Sequence, residues 1–458
     1  MCYNIVTMKK LINYTYKFRL SPTKEQEKVL FQDFGNARFV YNEILKQYQK
    51  DHLENKASWN AYKYIKKLPT LKKDFPFLKT TNAQVLQQEI KHLDTAFKNY
   101  FAHRAEAPVL KHRKDDKGIA IPQFFEIKGN RLFLPKLKTP IKIELHREII
   151  GKMKSITITK ASFDKFFVSV LVEKEIKKLP KVDKLVGIDV GLKTFAVMAT
   201  TSLSEARTKP LSELNFVHTK IENPKYLLKA EKHLKRLQKA LSKKQHKRSK
   251  KDETKASKNY IKACKKLANP HGHVASQRKD FLQKATSTLI HENQVLGLED
   301  LNIAGMKKNH HLAKAISDVG WGYFKTFLKY KASWYGRRIV EANRWFASSK
   351  TCSTPACTYV KKDLKLSERA WTCPVCGKLH DRDENGATEV AYIALAAVKT
   401  VPPERRERGR KTKTPVETRT SGLVAEKLQE QVLSGSRKPQ GLLYQRKLQV
   451  EAPHFNGE

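Results

Sequence analysis

Leu185-Val186-Gly187-Ile188-Asp189-Val190-Gly191 is an apolar strand with one carboxylate set into it. Phe195-Ala196-Val197-Met198-Ala199 follows, and the two segments read as a β-hairpin with Asp189 near the turn. A second apolar run, Val295-Leu296-Gly297-Leu298-Glu299-Asp300-Leu301, also ends in acid. A carboxylate held against an apolar strand loses hydration and needs a cation or several donors in return. Acids at strand ends often serve only as turn or cap residues, so neither run decides the matter alone. A third group, His380-Asp381-Arg382-Asp383-Glu384-Asn385-Gly386-Ala387, leads into Val390-Ala391-Tyr392-Ile393-Ala394-Leu395, which reads as a helix. Asp383 sits at its entrance, where its side chain could cap the helix or point inward. Three carboxylates from distant parts of the chain could converge on one or two Mg²⁺ ions, which prefer oxygen ligands. Two such ions about 4 Å apart activate a water and neutralise the leaving oxygen of a phosphodiester.

The surrounding charge fits such a substrate. The 458 residues carry 91 lysines and arginines against 45 aspartates and glutamates, a formal net charge of +46. That excess repels itself in a compact chain and makes sense beside a polyanion. Phosphate backbones gain from basic side chains through release of condensed counterions. An anionic membrane would ask for a concentrated amphipathic helix, whereas these basic residues run from Lys9 to Lys447. No apolar run approaches the ~20 residues needed to span a bilayer. The polar N-terminal stretch has no signal-peptide core, so a cytoplasmic location, without a membrane partner, is expected. The seven residues before Met8 look dispensable, and translation starting at Met8 is an expectation that the mass of the native protein would check.

Outward from the acids, the chain changes texture several times. Tyr14 to Leu20 alternates with the period of a half-buried strand. Thr23 with Gln26 three places on is a capping-box signal. Val29, Leu30, Phe34, Phe39, Val40, Ile44 and Leu45 then suit two short helices broken near Gly35. A further helix is expected from Thr81 to Arg104, its Val85, Leu86, Ile90, Leu93, Phe97 and Tyr100 stripe reading as ordinary core. From Ile119 to Val172 come short strands, including a Phe124–Leu134 hairpin turning at Lys128-Gly129-Asn130, and their close spacing suggests a small barrel. Lys174 to Lys184 reads as a charged link. Residues 226–280 read as two helices separated by the basic run Lys243–Lys251, either a solvated hairpin or a nucleic-acid-facing arm. After Val401 the chain is Pro-, Arg- and Lys-rich without periodicity, as in a loosely ordered tail.

The cysteines carry a separate signal. Of six, Cys2 and Cys264 are isolated, while Cys352-x4-Cys357 and Cys373-Pro374-Val375-Cys376 form two knuckle-like pairs. Clustered pairs point to metal rather than to a disulfide scaffold. Four thiolates suit a tetrahedral Zn²⁺, and four protein ligands leave no open position for water, so the expected zinc is structural.

Taken together, these segments resemble the transposon-encoded TnpB family. The resemblance rests on Gly187-Ile188-Asp189-Val190-Gly191, Gly297-Leu298-Glu299-Asp300-Leu301 and the paired cysteines leading to Asp381-Arg382-Asp383-x-Asn385. Tyr16-Lys17-Phe18-Arg19-Leu20-Ser21-Pro22-Thr23, Arg38-Phe39-Val40-Tyr41-Asn42, Gln84-Val85-Leu86-Gln87-Gln88, Ser276–Phe281 and Ser348–Cys352 extend it, in order, from Tyr14 to Val398. What it implies is an RNA-guided DNA endonuclease related to type V CRISPR effectors. Such a protein binds a guide RNA derived from the transposon end, recognises a short motif beside the double-stranded DNA target, and cuts at one RuvC-like site. Sequence choice then comes mostly from base pairing. By motif, Asp189, Glu299 and Asp383 would be the catalytic acids holding two Mg²⁺, and Cys352, Cys357, Cys373 and Cys376 would hold one Zn²⁺. Tyr41, Gln84 and Gln88 are nucleic-acid contacts by resemblance alone.

The implied architecture is α/β and multidomain, with an RNase H-like (RuvC) nuclease domain and an inserted zinc ribbon. It assigns 14–20 and 111–178 to a small β-barrel (wedge) domain and 21–110 to a helical recognition domain. The nuclease domain takes 182–345, with the 226–280 hairpin, and 381–400; the ribbon takes 346–380 and the tail 401–458. The chain departs from the family at Thr358, Gly386 and Glu389, positions beside the cysteines and the third acid. Two other functions share these features: a DNA transposase or recombinase, which also uses three acids, and a guide-directed repressor that binds without cutting.

The charge carries a prediction independent of family. Binding to duplex DNA should weaken linearly in log–log salt with a slope of roughly −0.9 for each phosphate neutralised, steeper than about −5 in total. Filter binding across a salt series measures it, and a flat response would remove the polyanion argument.

Overall fold

A computed structural model of the protein describes residues 9–112, 117–161, 165–245, 257–365 and 367–399. The segment before Met8, most of the basic run after Lys243 and the tail after Val401 lie outside the described residues. Among the described residues two compact units result, one within 9–180, 225–291 and 322–337, the other within 181–224, 292–321 and 338–399. Among the described residues no helix is long and apolar enough to cross a membrane.

The first unit is built on a seven-stranded antiparallel sheet: β1 (Lys9–Ser21), β2 (Lys117–Ile121), β3 (Glu126–Lys128), β4 (Arg131–Phe133), β5 (Ile141–Glu144), β6 (Lys152–Ala161) and β7 (Lys165–Lys177). Its order is β2-β6-β7-β1-β5-β4-β3, so among the described residues the ladder has two edges instead of closing into a ring. Alternation in β1 buries Tyr16, Phe18 and Leu20, which meet Ile156, Ile158, Phe166 and Val168 and the helical Leu30 and Phe34. The capping box is present: Thr23 N donates to Gln26 Oε1 (2.9 Å), and Thr23 Oγ1 accepts from Gln26 N (3.3 Å). It opens a single helix, Lys24–Asn55, not two broken at Gly35. A mid-helix glycine costs only about 1 kcal/mol. Here one end of the helix packs on the sheet, while Val40, Ile44 and Leu45 pack on Leu86, Ile90 and Leu93 of the Ala83–Phe101 helix. Tertiary burial overrides the breaker.

Two smaller expectations are also corrected. Phe124 has φ +60° and is largely exposed, so the β3–β4 hairpin begins at Glu126. The link after the sheet is short, because β7 continues to Lys177. The same unit contains the helices Tyr226–Gln245 and Lys258–Glu292 and most of Trp321–Tyr335.

The second unit centres on a five-stranded mixed sheet of β8 (Lys184–Val190), β9 (Thr194–Ser202), β10 (Val217–Glu222), β11 (Val295–Leu298) and β12 (Arg338–Glu341). The order is β10-β9-β8-β11-β12. β8–β9–β10 is an antiparallel meander, whereas β11 runs parallel to both β8 and β12. A short hairpin, β13 (Ala370–Thr372) with β14 (Leu379–Asp381), precedes the Arg382–Lys399 helix.

That helix lies on a glycine pair. Gly187 and Gly297 face each other in the parallel β8–β11 register. A Cβ at 187 would stand 2.2 Å from Ala387 O and 2.3 Å from Ala391 N, and one at 297 would stand 2.8 Å from Val390 O. Backbone therefore rests on backbone, with Ala387, Ala391 and Ala394 filling the seam. Gly187→Ala should lift the helix and cost about 3 kcal/mol, as overpacking of a rigid core does. Chemical denaturation measures the loss, and a variant as stable as the parent would show that the seam yields easily.

Candidate active site and thiolate cluster

Side-chain periodicity turns the glycine seam into a site. Asp189 lies two residues beyond Gly187 and Glu299 two beyond Gly297, so each acid shares its glycine's face of the sheet. Asp383 lies four residues before Ala387, on the same face of the helix. The structure thus brings the three predicted acids together. Asp189 is buried, at 8% exposure. Its carboxyl is pushed well above the usual range by desolvation, then by the charges of Glu299 and Asp383. Desolvation also raises Glu299, opposed by hydrogen bonds with Ser348 and Asp189. Asp383 pairs with Arg369 Nη1 (3.3 Å) and Arg382 Nε (3.6 Å). The capping role left open for it belongs to Asp381, whose Oδ1 accepts from Asp383 N and Glu384 N (3.0 Å each).

Several supporting residues have roles that local pattern does not assign. Ser348 Oγ donates to Glu299 Oε1. The buried Asn385 donates to Ser348 O (3.2 Å) and Thr351 O (2.6 Å) and accepts from Ser353 N (2.9 Å). It ties the helix to the segment that both orients Glu299 and begins the cysteines. On the opposite side, Lys220 pairs with Glu384 (2.8 Å) and His218 with Thr388 (2.9 Å). Gly386 leaves room for Asp189, whose Oδ2 would stand 3.3 Å from a Cβ there. The only advance signal for Asn385 was its place in the Asp383-x-Asn385 motif.

The four predicted cysteines also meet. Their sulfurs lie within 4.8 Å of one another, Cys352 and Cys376 at 3.6 Å and Cys357 and Cys373 at 3.7 Å. Ala356 at φ +63° and a Cys357 N to Thr354 O bond (3.0 Å) absorb the longer first loop. Burial pushes the Cys352 thiol up to about 12, while hydrogen bonding with Thr354 draws exposed Cys376 down to about 6. His380 Nε2 lies 3.1 Å from Cys352 Sγ, a contact that spacing alone did not mark. Such a thiol set suits a soft, tetrahedral ion.

The remaining candidates lie in the first unit. Tyr41 is buried in a helical core, with Lys111 Nζ 4.0 Å above its ring. Gln84 donates to Gln123 Oε1 (3.1 Å), and Gln88 is half-buried.

A mixed sheet carrying converged acids beside a thiolate cluster, in so basic a chain, defines a protein built to work on nucleic acid. Comparison with known proteins narrows the class. A model described as "Probable transposase" (OrfB_IS605) matches residues 167–310, a Cas12f1-like TNB domain matches 321–390 and a helix-turn-helix domain matches 8–57. In this chain the last of these is β1 followed by one long helix. A Streptomyces pristinaespiralis protein named an RNA-guided DNA endonuclease is 34% identical over 410 residues, covering 85% of this chain and 91% of that one. The Escherichia coli K12 protein InsQ, similarly named, is 27% identical over 85% of this chain and 94% of its own length. Among solved structures, a Cas12f1–sgRNA–target DNA complex superposes with TM-score 0.51 at 15% identity, covering 83% of this chain and 99% of that one, a likeness of fold. The chain belongs to the TnpB family.

The raised carboxyls carry a prediction of defined sign. A folded-state pKa above the unfolded value means that the folded protein holds more protons between the two, so stability falls as pH rises through that window. With divalent ions withheld, Asp189→Asn should melt a few degrees above the parent at pH 8 and gain less at pH 5. Paired melting curves check this, and an equal difference at both pH values would contradict the shared-burial account.

Proposed function

We infer that the chain is an RNA-guided DNA endonuclease that cuts with Asp189, Glu299 and Asp383 on a RuvC-like, RNase H-type sheet. The observation carrying this reading is the meeting of three carboxylates, two of them desolvated, inside a chain of net charge +46. Left alone, that acid cluster would repel a polyanionic strand; it suits cations shared between carboxylates and phosphate. Two magnesium ions, when bound, would supply an activated water and neutralise the leaving oxygen.

The chain's own residues set the geometry. Asp189 and Glu299 are fixed by adjacent parallel strands, Ser348 holds one oxygen of Glu299, and Asp189 and Glu299 hydrogen-bond to each other. Asp383 is presented by the helix that rests on the glycine pair, with Asp381 relieving it of capping. Cys352, Cys357, Cys373 and Cys376 would hold a structural zinc, which fastens the ribbon beside the Arg382–Lys399 helix. The partners are a guide RNA, derived from the transposon end, and DNA matching it next to a short flanking motif. Pairing with the guide reads the sequence, and the protein reads shape and the flanking motif. We assign the sheet and helices of the first unit to gripping the guide–target duplex and flanking DNA. Retention of all three acids disfavours a non-cutting repressor, and guide dependence separates the enzyme from a strand-transferring transposase.

The test is to purify the protein with its bound RNA, sequence that RNA and offer matching DNA. Cleavage should require the RNA, and Asp189→Ala or Asp383→Ala should slow it roughly 10³-fold or more with DNA binding retained. Cutting that survives either change would discard the acid assignment; joined transposon ends formed without RNA would favour the transposase.

A further inference from the structure

Between β12 and the first cysteine, the chain makes a turn fixed at several points. Asn343 Oδ1 accepts from Trp345 N and Asn343 O from Phe346 N, each at 3.0 Å. The Arg344 guanidinium donates twice to Asp300 Oδ2, at 2.8 and 3.1 Å. Ala342 N donates to Leu298 O (2.8 Å), and Ser348 anchors the far side on Glu299. On this fixed turn, Trp345 stands 85% exposed, the most exposed large apolar side chain among the described residues. An indole carries one of the largest apolar surfaces available to a protein, and a flat one.

Beside the turn is a cavity of about 310 Å³ whose lining includes Glu299, Arg344, Phe346, Lys350 and Arg382. The lining therefore brings an acid of the proposed active site, the Arg344–Asp300 ion pair, two further cations and an aromatic ring. Cations suit phosphates and a flat apolar face suits a base; the combination fits a nucleotide strand. Trp345 and Ser348 are three residues apart, so their Cα atoms lie within about 11 Å. Since Ser348 touches Glu299, the indole stands within reach of the nucleotides flanking a phosphate held at the acids.

We propose that Trp345 is a stacking platform for an unpaired base of the DNA strand being cut, next to the scissile phosphate, with Lys350 and Arg382 steadying the backbone. This rests on the nuclease reading and adds a positioning residue to it. A base inside a duplex already has stacking neighbours, so the platform selects a strand that has been opened. It does so without sequence preference, because every base presents a π-face.

The test uses the guide-loaded protein carrying Asp189→Asn, with matched DNA bearing a fluorescent aminopurine at successive positions around the mapped cut. Emission should fall severalfold at positions adjoining the cut, recover in Trp345→Ala and be intermediate in Trp345→Phe. In protein retaining Asp189, Trp345→Ala should lower the single-turnover cleavage rate about tenfold, the scale of one lost base–aromatic stack, without weakening binding of guide-matched DNA. Emission indifferent to the indole at every position overturns the proposal, as does a response confined to probes in the guide RNA. If the Asp189→Asn complex still cuts, the acid assignment fails, while the fluorescence still reports separately on Trp345.

Discussion

The contact on which the second unit depends is that of a helix backbone on two sheet glycines. With no Cβ at Gly187 or Gly297, the Arg382–Lys399 helix settles onto adjacent parallel strands at a distance no other residue permits. Two periodicities then act together. The strand period of two carries Asp189 and Glu299 onto the helix side, and the helical spacing of four turns Asp383 toward them. The acids meet because of packing, with Ser348 of the segment before the cysteines holding Glu299 in place.

Electrostatics opposes that packing. Burying Asp189 against Glu299 and near Asp383 disfavours ionisation, and Arg369 and Arg382 offset only part of the cost. The structure meets the strain with polar fasteners, Asp381 on the helix entrance and Asn385 on the segment leading to the cysteines. On the reading proposed above, an acidic centre within a strongly cationic chain is a division of labour: the exterior would gather phosphate, and the centre would admit it only in company with cations.

Much of this was legible from local pattern. The alternation of Tyr14–Leu20, the Thr23–Gln26 box, the two acid-ended strands and the paired cysteines are each written within a few consecutive residues. Physical effects that depend on distant partners were not. The helix through Gly35 continues because its two ends pack on different cores, which no window around the glycine displays. The pairing of Gly187 with Gly297 is a matter of register between strands far apart in sequence. Ser348, Asn385 and His380 fall within sequence motifs, but what each touches is set by the fold, and Trp345 is conspicuous only by its exposure on a turn held in place.

The order of the acids along the chain has a consequence for biosynthesis. Asp189 and Glu299 leave the ribosome well before the Arg382–Lys399 helix, and domains form in the order of synthesis. Until that helix emerges and docks, the nascent polypeptide carries two of the three carboxylates and an uncovered glycine seam. On the assignment made above, a translating chain cannot cut the nucleic acid around it, and competence arrives only once the Arg382–Lys399 helix docks.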